Sequence, residues 1–341
     1  MKPDPNRAPN GSRQKYLTTL NLVGYFMQIQ WFPGHMNKAR NEVKAIIPKV
    51  DLLIEVLDAR IPYSSENPMI RQLRGATPAL KLLAKSDLAN SKLTDQWLDW
   101  HNQRNGIQAK AVSTKNRSGI KEIPNTLFDL LPEEKRNRKS LLAMIAGVPN
   151  VGKSTLINIL AGRTVAKTGN EPAVTKGQQK IVIGNGITLL DTPGMLWPKV
   201  ENPKSGLRLA AVGSVKDTAM EYEDVAAFIV NHLLKHRPEV ATDFYQFDSP
   251  ALDMIDFFDR LGQKRGCLGK SGVVDYERVS RIIVTDFRKA ALGKITLETP
   301  EEIQKEIADL EIELARKSDQ KEAKKAARKA RFKARNKNRN R

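Results

Sequence analysis

Residues 147–154 read Gly147-Val148-Pro149-Asn150-Val151-Gly152-Lys153-Ser154, which matches G-x-x-x-x-G-K-[ST] at every fixed position. The flanks decide what the match means. Leu141-Leu142-Ala143-Met144-Ile145-Ala146 before it reads as a buried strand, and Thr155-Leu156-Ile157-Asn158-Ile159-Leu160-Ala161 after it reads as a helix stopping at Gly162. Strand, glycine loop and helix N-terminus in that order form a cradle for phosphate. Asn150, Val151, Gly152, Lys153, Ser154 and Thr155 are its expected lining, with backbone N–H groups facing the phosphates. The Lys153 ammonium reaches the outer phosphates, and the Ser154 hydroxyl is a ligand for Mg²⁺.

A second motif lies downstream. Residues 179–183 and 187–190 read as a hairpin turning on Asn185-Gly186, and its second strand runs into Asp191-Thr192-Pro193-Gly194. D-x-x-G alone is usually only a turn. Behind a phosphate loop it gains a role: Asp191 holds Mg²⁺ through water, and the Gly194 N–H senses the terminal phosphate.

Upstream, the chain alternates strands (52–57, 80–84, 107–112) with helices (66–75, 91–103, 119–131), so a mostly parallel sheet is expected. An amphipathic helix carrying Met36, Ala39, Val43, Ile46, Ile47 and Val50 precedes them, and a charged connector, 133–139, follows. Phosphate loops gather at the carboxyl ends of such strands. Two of those ends carry Ala84-Lys85-Ser86-Asp87 and Ser113-Thr114-Lys115. Guanine is usually read by Asn-Lys-x-Asp, whose Asp accepts from N1 and N2, and by a Ser-Ala-Lys-like loop. Asp87 supplies that carboxylate, the Lys85 stem is placed to cover the base, and Ser86, Ser113 and Thr114 complete the base loops. Both loops precede the phosphate loop, the reverse of the usual order. The chain therefore reads as a nucleotide-binding domain cut and rejoined, with the base half first. Such a permutation keeps every contact in space.

The order and the motifs resemble the circularly permuted GTPases, and among them the ribosome biogenesis GTPase A family. The resemblance covers about residues 28–300. It rests on Ile29-Gln30-Trp31-Phe32-Pro33-Gly34-His35-Met36, Asp58-Ala59-Arg60-Ile61-Pro62, the P-loop, Pro172-Ala173-Val174-Thr175-Lys176, Asp191 to Pro198 and Lys264-Arg265-Gly266-Cys267-Leu268. It implies GTP hydrolysis to GDP and phosphate, coupled to a late step of large-subunit assembly. Thr175 resembles the switch threonine that meets Mg²⁺ and the γ-phosphate, and Asn150 the asparagine that helps hold K⁺ in potassium-activated relatives. Met195 stands where Ras-like proteins place the glutamine that orients water. A thioether makes no strong hydrogen bond to water, so hydrolysis must recruit another group or a partner. The family's candidate is His35. The catalytic set implied is thus His35, Lys153, Thr175 and Gly194. Ala84 replaces the usual Asn, a loss of about 0.5–1.5 kcal/mol of hydrogen bonding, so GTP binding is expected to weaken with guanine preference kept. Ala173 replaces an expected switch glycine.

Composition sets the frame. The 341 residues suit about two domains plus tails. No apolar run approaches the roughly 18 residues of a membrane span. The single cysteine, Cys267, excludes an internal disulfide, suits a reducing compartment and reads as a small core residue. A soluble, cytoplasmic protein is expected. Net charge is +19, and residues 316–341 hold 13 Lys/Arg against 2 Asp/Glu. That imbalance points to a polyanionic partner.

Residues 205–293 lose the strand alternation. Helices near 223–236, 251–262 and 275–292 predict an all-α domain, with Ser249-Pro250 as one helix start and Asp275 as another N-cap. Lys264, Arg265, Lys270, Arg278, Arg281 and Arg288 are a candidate phosphate-facing surface. Ile303, Ile307, Leu310 and Leu314 form a narrow seam, and Lys321 to Arg341 reads as a disordered or transiently helical RNA-binding arm.

The expected architecture is α/β: a circularly permuted P-loop GTPase domain over 27–200, a helical RNA-binding domain over 201–300, a basic tail over 301–341, and a basic irregular extension over 1–26. The expected ligands are GTP/GDP, Mg²⁺ and K⁺. The expected partners are ribosomal RNA and the large-subunit precursor, met by a monomer that needs no protein subunit and no membrane. Two other readings stay open: a nucleotide-gated RNA-binding scaffold with negligible turnover, and a GTPase of an organellar ribosome, for which residues 1–26 are the only hint.

Overall fold

Strand β4 (Leu141–Gly147), which delivers the P-loop, lies inside the sheet with a parallel partner on each side. The computed structural model describes residues 34–138, 140–166, 179–269 and 272–339. The other strands are β1 (Leu52–Asp58), β2 (Ala79–Ala84), β3 (Ile107–Ala111), β5 (Gln179–Gly184) and β6 (Ile187–Asp191). Their order across the sheet is β3-β2-β1-β4-β6-β5. All neighbours are parallel except β5, which pairs antiparallel with β6. The hairpin turn is as the sequence suggests: Asn185 and Gly186 both take positive φ, 48° and 69°.

Every residue of β1 and β2 is buried, as a parallel sheet covered on both faces requires. Three of those residues are charged: Glu55, Asp58 and Lys81. Glu55 and Lys81 are register partners, and Lys81 Nζ donates to Glu55 Oε2 at 2.6 Å. It also pairs with Glu66 at 3.0 Å. Glu66 further accepts from Arg104, and although burial pushes its carboxyl up, Lys81 and Arg104 hold it down at about 2. Beside this network His101 is fully buried, neither ring nitrogen has a hydrogen-bond partner, and burial lowers its pKa to about 3. These groups fix the loop from Asp58 to Asn67.

Helices start where short polar side chains can cap them. Asn67, Asn90 and Asn202 each accept from a backbone N–H of the first turn, and Pro68 and Pro203 follow two of them. The helix Gly34–Ile46 puts Met36 and Val43 into the core, and Ile47 and Val50 continue that face through a 3₁₀ turn at Ile47–Lys49. The stretch expected as one helix at 119–131 is two, Arg117–Lys121 and Ile123–Asp129, and the charged connector holds a short helix, Glu133–Arg136.

Helices Pro203–Ala211, Tyr222–His236, Met254–Lys264 and Tyr276–Arg288 pack on one another through Leu209, Val225, Ile229, Leu261, Ile283 and Phe287. Asp275 caps its helix as expected, accepting from Arg278 N. Ser249-Pro250 does not start one. The cap is Asp253, which accepts from Asp256 N at 2.8 Å while Asp256 Oδ2 accepts from Leu252 N at 2.9 Å. Two reciprocal bonds outcompete a Ser-Pro start. Cys267 is a buried free thiol, as a core residue should be.

The described residues up to Glu298 form one compact unit and Thr299–Arg341 a second. The second is a helix from Pro300 to Arg339, about 60 Å long. Of the two states expected for this tail, helical or disordered, the structure has the helix. The stretch is rich in Ala, Lys, Arg and Glu, all strong helix formers, and has no glycine or internal proline.

Candidate functional site

The sheet brings the two separated halves of the site together at the carboxyl ends of its strands. β4 ends at Gly147, and a Cβ there would lie 2.7 Å from the Val56 carbonyl oxygen on β1, so only glycine fits. The loop then turns through two positive-φ residues, Asn150 at 59° and Gly152 at 101°, and enters the helix Lys153–Ala161. The first N–H groups of that helix point back into the loop without helical partners, as phosphate binding requires. Ser154 and Thr155 are half-buried at its first turn, and Val151 is buried behind the loop.

Asp191, at the end of β6, meets Lys153 Nζ through Oδ1. Both are buried. Burial pushes the ammonium down and the carboxylate up, and the pair offsets part of that for each other. Asp191 Oδ2 is buried with no hydrogen-bond partner. An orphaned carboxylate oxygen is costly unless something binds it. With the Ser154 hydroxyl, it supplies the hard oxygen donors that Mg²⁺ prefers, so the donor set fits that ion. Gly194 lies against the loop, where a Cβ would come within 3.2 Å of Pro149 Cα, and Met195 N donates to Gly147 O at 3.3 Å. The Met195 side chain is buried in the core, which agrees with its exclusion as a water-orienting group.

On the other side, Asp87 accepts from Ser113 Oγ at 2.7 Å and pairs with Lys115 at 3.0 Å. Burial would raise its pKa, but these two bonds hold it below the usual carboxylate range. The two base loops, far apart in sequence, are thus one site, with Ser86 in the 3₁₀ turn Ser86–Leu88 and Thr114 exposed beside Ser113. Ala84 is buried at the end of β2, its carbonyl accepting from Ala59 N at 2.8 Å.

Lys85 joins base half to phosphate half. At φ 58°, it directs Nζ onto Asn150 O at 2.7 Å and onto Asp58 Oδ2 at 3.0 Å. Asp58 is fully buried and also held by both Arg60 Nε, at 2.9 Å, and Nη2, at 2.8 Å. Its carboxyl is pushed up by burial and, more strongly, down by the Arg60 and Lys85 charges, so it stays ionised.

Several site contacts escape sequence reasoning. Asn150 Nδ2 donates to Gly213 O at 2.7 Å, and Ser214 Oγ donates to Pro149 O at 2.9 Å, so a turn after helix Pro203–Ala211 braces the P-loop. The return at residues 295–298 binds the base half: Leu297 N donates to Arg60 O, and buried Glu298 accepts from Tyr63 N and Ser64 N. Arg288, expected on a phosphate-facing surface, instead donates to the carbonyls of Ala210 and Ala211 and to Asp217. Arg281 pairs with Glu277, and Lys264 donates to Gln246 O. No sequence signal marks these long-range partners. Thr175, Ala173 and Lys270 lie outside the described residues, as does the side chain of His35, whose backbone opens the helix Gly34–Ile46.

A strand order with base loops preceding phosphate loops, converging on one cleft, defines a circularly permuted P-loop GTPase. A family model described as a 50S ribosome-binding GTPase matches residues 142–255. The chain is 41% identical over 292 residues to a ribosome biogenesis GTPase A of Bacillus cereus, covering 84% of this chain and 98% of that one. It is 32% identical to a mitochondrial ribosome-associated GTPase 1 of Ictalurus punctatus, over 79% of this chain and 92% of that one. Among solved structures it is similar to GNP-bound YlqF from T. maritima, at 26% identity and a TM-score of 0.54, covering 77% and 99% of the two chains. The chain belongs to the ribosome biogenesis GTPase A family, and it is a GTPase.

Proposed function

We propose that this protein is an assembly factor of the large ribosomal subunit that binds ribosomal RNA in its GTP state and is released on hydrolysis. The observation that carries the reading is the single cleft in which Asp87 and Ser113, Lys85 on the Asn150 carbonyl, and Lys153 on Asp191 converge. GTP would lay its base on Asp87 and its phosphates along Asn150 to Thr155. Lys153 would exchange Asp191 for the β,γ-phosphates. Asp191, Ser154 and Thr175 would then hold Mg²⁺, which neutralises developing phosphate charge. With its amide nitrogen committed to Gly213, Asn150 would meet K⁺ through its oxygen.

In hydrolysis, water adds to the γ-phosphorus, the bond to the bridging oxygen breaks, and the proton leaves with inorganic phosphate. Gly194 N–H would face the terminal phosphate, and Thr175 is the proposed switch threonine for that phosphate and Mg²⁺. His35 is the proposed water-orienting group, since the buried Met195 thioether is unsuited to the task.

The proposed division is a GTPase domain over 27–200, a helical RNA-binding domain over 201–300 and a basic arm over 301–341, acting as a cytoplasmic monomer. Among the described residues no helix is long and apolar enough to cross a membrane. Co-sedimentation with large-subunit precursors tests the reading. Protein loaded with a non-hydrolysable GTP analogue should pellet with the particles and GDP-loaded protein should not; equal binding of both forms contradicts it.

A further inference from the structure

A cavity of about 700 Å³ opens beside Lys85 and Asn150, walled by the turn and 3₁₀ segment at 212–218 and by the helix end at 285–289. It contains none of Gly152 to Thr155, nor Asp87 or Ser113, so it is distinct from the nucleotide cradle while sharing two residues with it. Its charged lining is Arg60, Lys85, Lys216, Arg288 and Lys289 against Asp217. Arg60 and Lys85 share buried Asp58, and Arg288 holds Asp217, which leaves the cavity with excess positive charge. Lys216 and Lys289 stand exposed at its wall, and the hydroxyls of Thr218 and Thr285 are exposed beside them. The floor is built: Asn150 Nδ2 on Gly213 O, and Ser214 Oγ on Pro149 O, lock the turn after helix Pro203–Ala211 to the P-loop.

Cations with adjacent hydroxyls are the donor set that takes phosphate oxygens. We propose that this cavity receives a phosphate of an RNA backbone, and that the RNA thereby touches the residues that hold the nucleotide loop. The proposal rests on the ribosomal reading above. Asn150 sits in the sparsely populated left-handed region, where it is held by Lys85 and by Gly213. An anion competing for Lys85 changes that hold, so RNA affinity and nucleotide affinity are linked, each altering the other by the same factor.

The test is the variant Lys216→Glu/Lys289→Glu, with Lys216→Gln/Lys289→Gln as a milder control. Both lysines are exposed, so folding should survive. GTP turnover without RNA should match the wild type. Affinity for large-subunit precursors should fall at least about tenfold, and the log–log salt slope should become shallower by about two, one per lysine. Wild-type affinity and slope in the Glu variant, while the wild type itself binds, would overturn the proposal and leave the ribosomal reading standing. If the wild type binds no particles, the ribosomal reading falls, and this proposal with it. Inorganic pyrophosphate, titrated calorimetrically into GDP-bound protein, separates the sources. Saturable pyrophosphate binding that is lost in the variant, with RNA binding intact, would assign the cavity to a small phosphate ligand and overturn the RNA assignment.

Discussion

Replacing Lys85 by Met should separate what holds the P-loop from what holds the fold. Lys85 donates to Asp58 Oδ2 at 3.0 Å and to Asn150 O at 2.7 Å. Asp58 keeps its two bonds from Arg60, at 2.9 and 2.8 Å, so the substitution strands no buried charge. The bond to Asn150 acts directly on the loop, at a residue whose φ of 59° is itself unfavourable. A hydrogen bond from a charged group contributes about 1.5–3 kcal/mol. If that contribution holds the loop ready for phosphate, GTP affinity in Lys85→Met falls roughly 10- to 150-fold. Equilibrium titration with a fluorescent GTP analogue gives the Kd, and urea unfolding run alongside should show a loss of no more than about 3 kcal/mol. Asp58→Ala is the contrast: it leaves Arg60 buried and unpaired, so stability itself should fall by about 3–5 kcal/mol. A folded Lys85→Met protein that binds GTP with the wild-type Kd would refute the reasoning.

Three more outcomes are expected. Gly147→Ala places a methyl group 2.7 Å from a backbone oxygen, so it should cost about 1–3 kcal/mol in urea unfolding and abolish measurable GTP binding. Fully buried His101 has its pKa lowered from 6.5 to about 3, so the unfolded chain binds its proton first and stability is lost as pH falls below 6.5; between pH 7 and pH 5 this amounts to about 2 kcal/mol, and a plot of unfolding free energy against pH should be flatter by that amount in His101→Leu. His35→Ala should bind GTP normally but lose particle-stimulated turnover, seen as an unchanged Kd with a lowered stimulated kcat.

Much of the site was legible because its motifs are local. β2 was expected at residues 80–84 and spans Ala79–Ala84, and Asp87 and Ser113 meet as their spacing behind two parallel strands implied. Helices with strong amphipathic patterns appeared near their expected places, as in Tyr222–His236. What failed was either capping competition or distance. Asp253 displaced Ser249-Pro250 through a side-chain bond that the pattern of apolar residues does not encode. Helix Pro203–Ala211 escapes the pattern although Asn202-Pro203 marks its start, because it is only 9 residues long and its buried residues include Ser205 and Arg208, so no clean apolar stripe stands out. The Gly213–Ser214 brace on Pro149 and Asn150, and the return of Glu298 to Tyr63 and Ser64, join residues far apart in the chain through single bonds, for which a sequence offers no periodicity. Arg288 looked like a phosphate contact, since a basic residue on a helix reads the same whether it meets solvent or a carbonyl.

Cleavage of GTP in response to the ribosome is what this cleft is expected to perform. The direct measurement is inorganic phosphate release from GTP with and without large-subunit precursor particles. Release should be slow from the protein alone, markedly faster with particles, and not comparable from ATP. No acceleration by particles, or equal cleavage of ATP, would contradict that expectation.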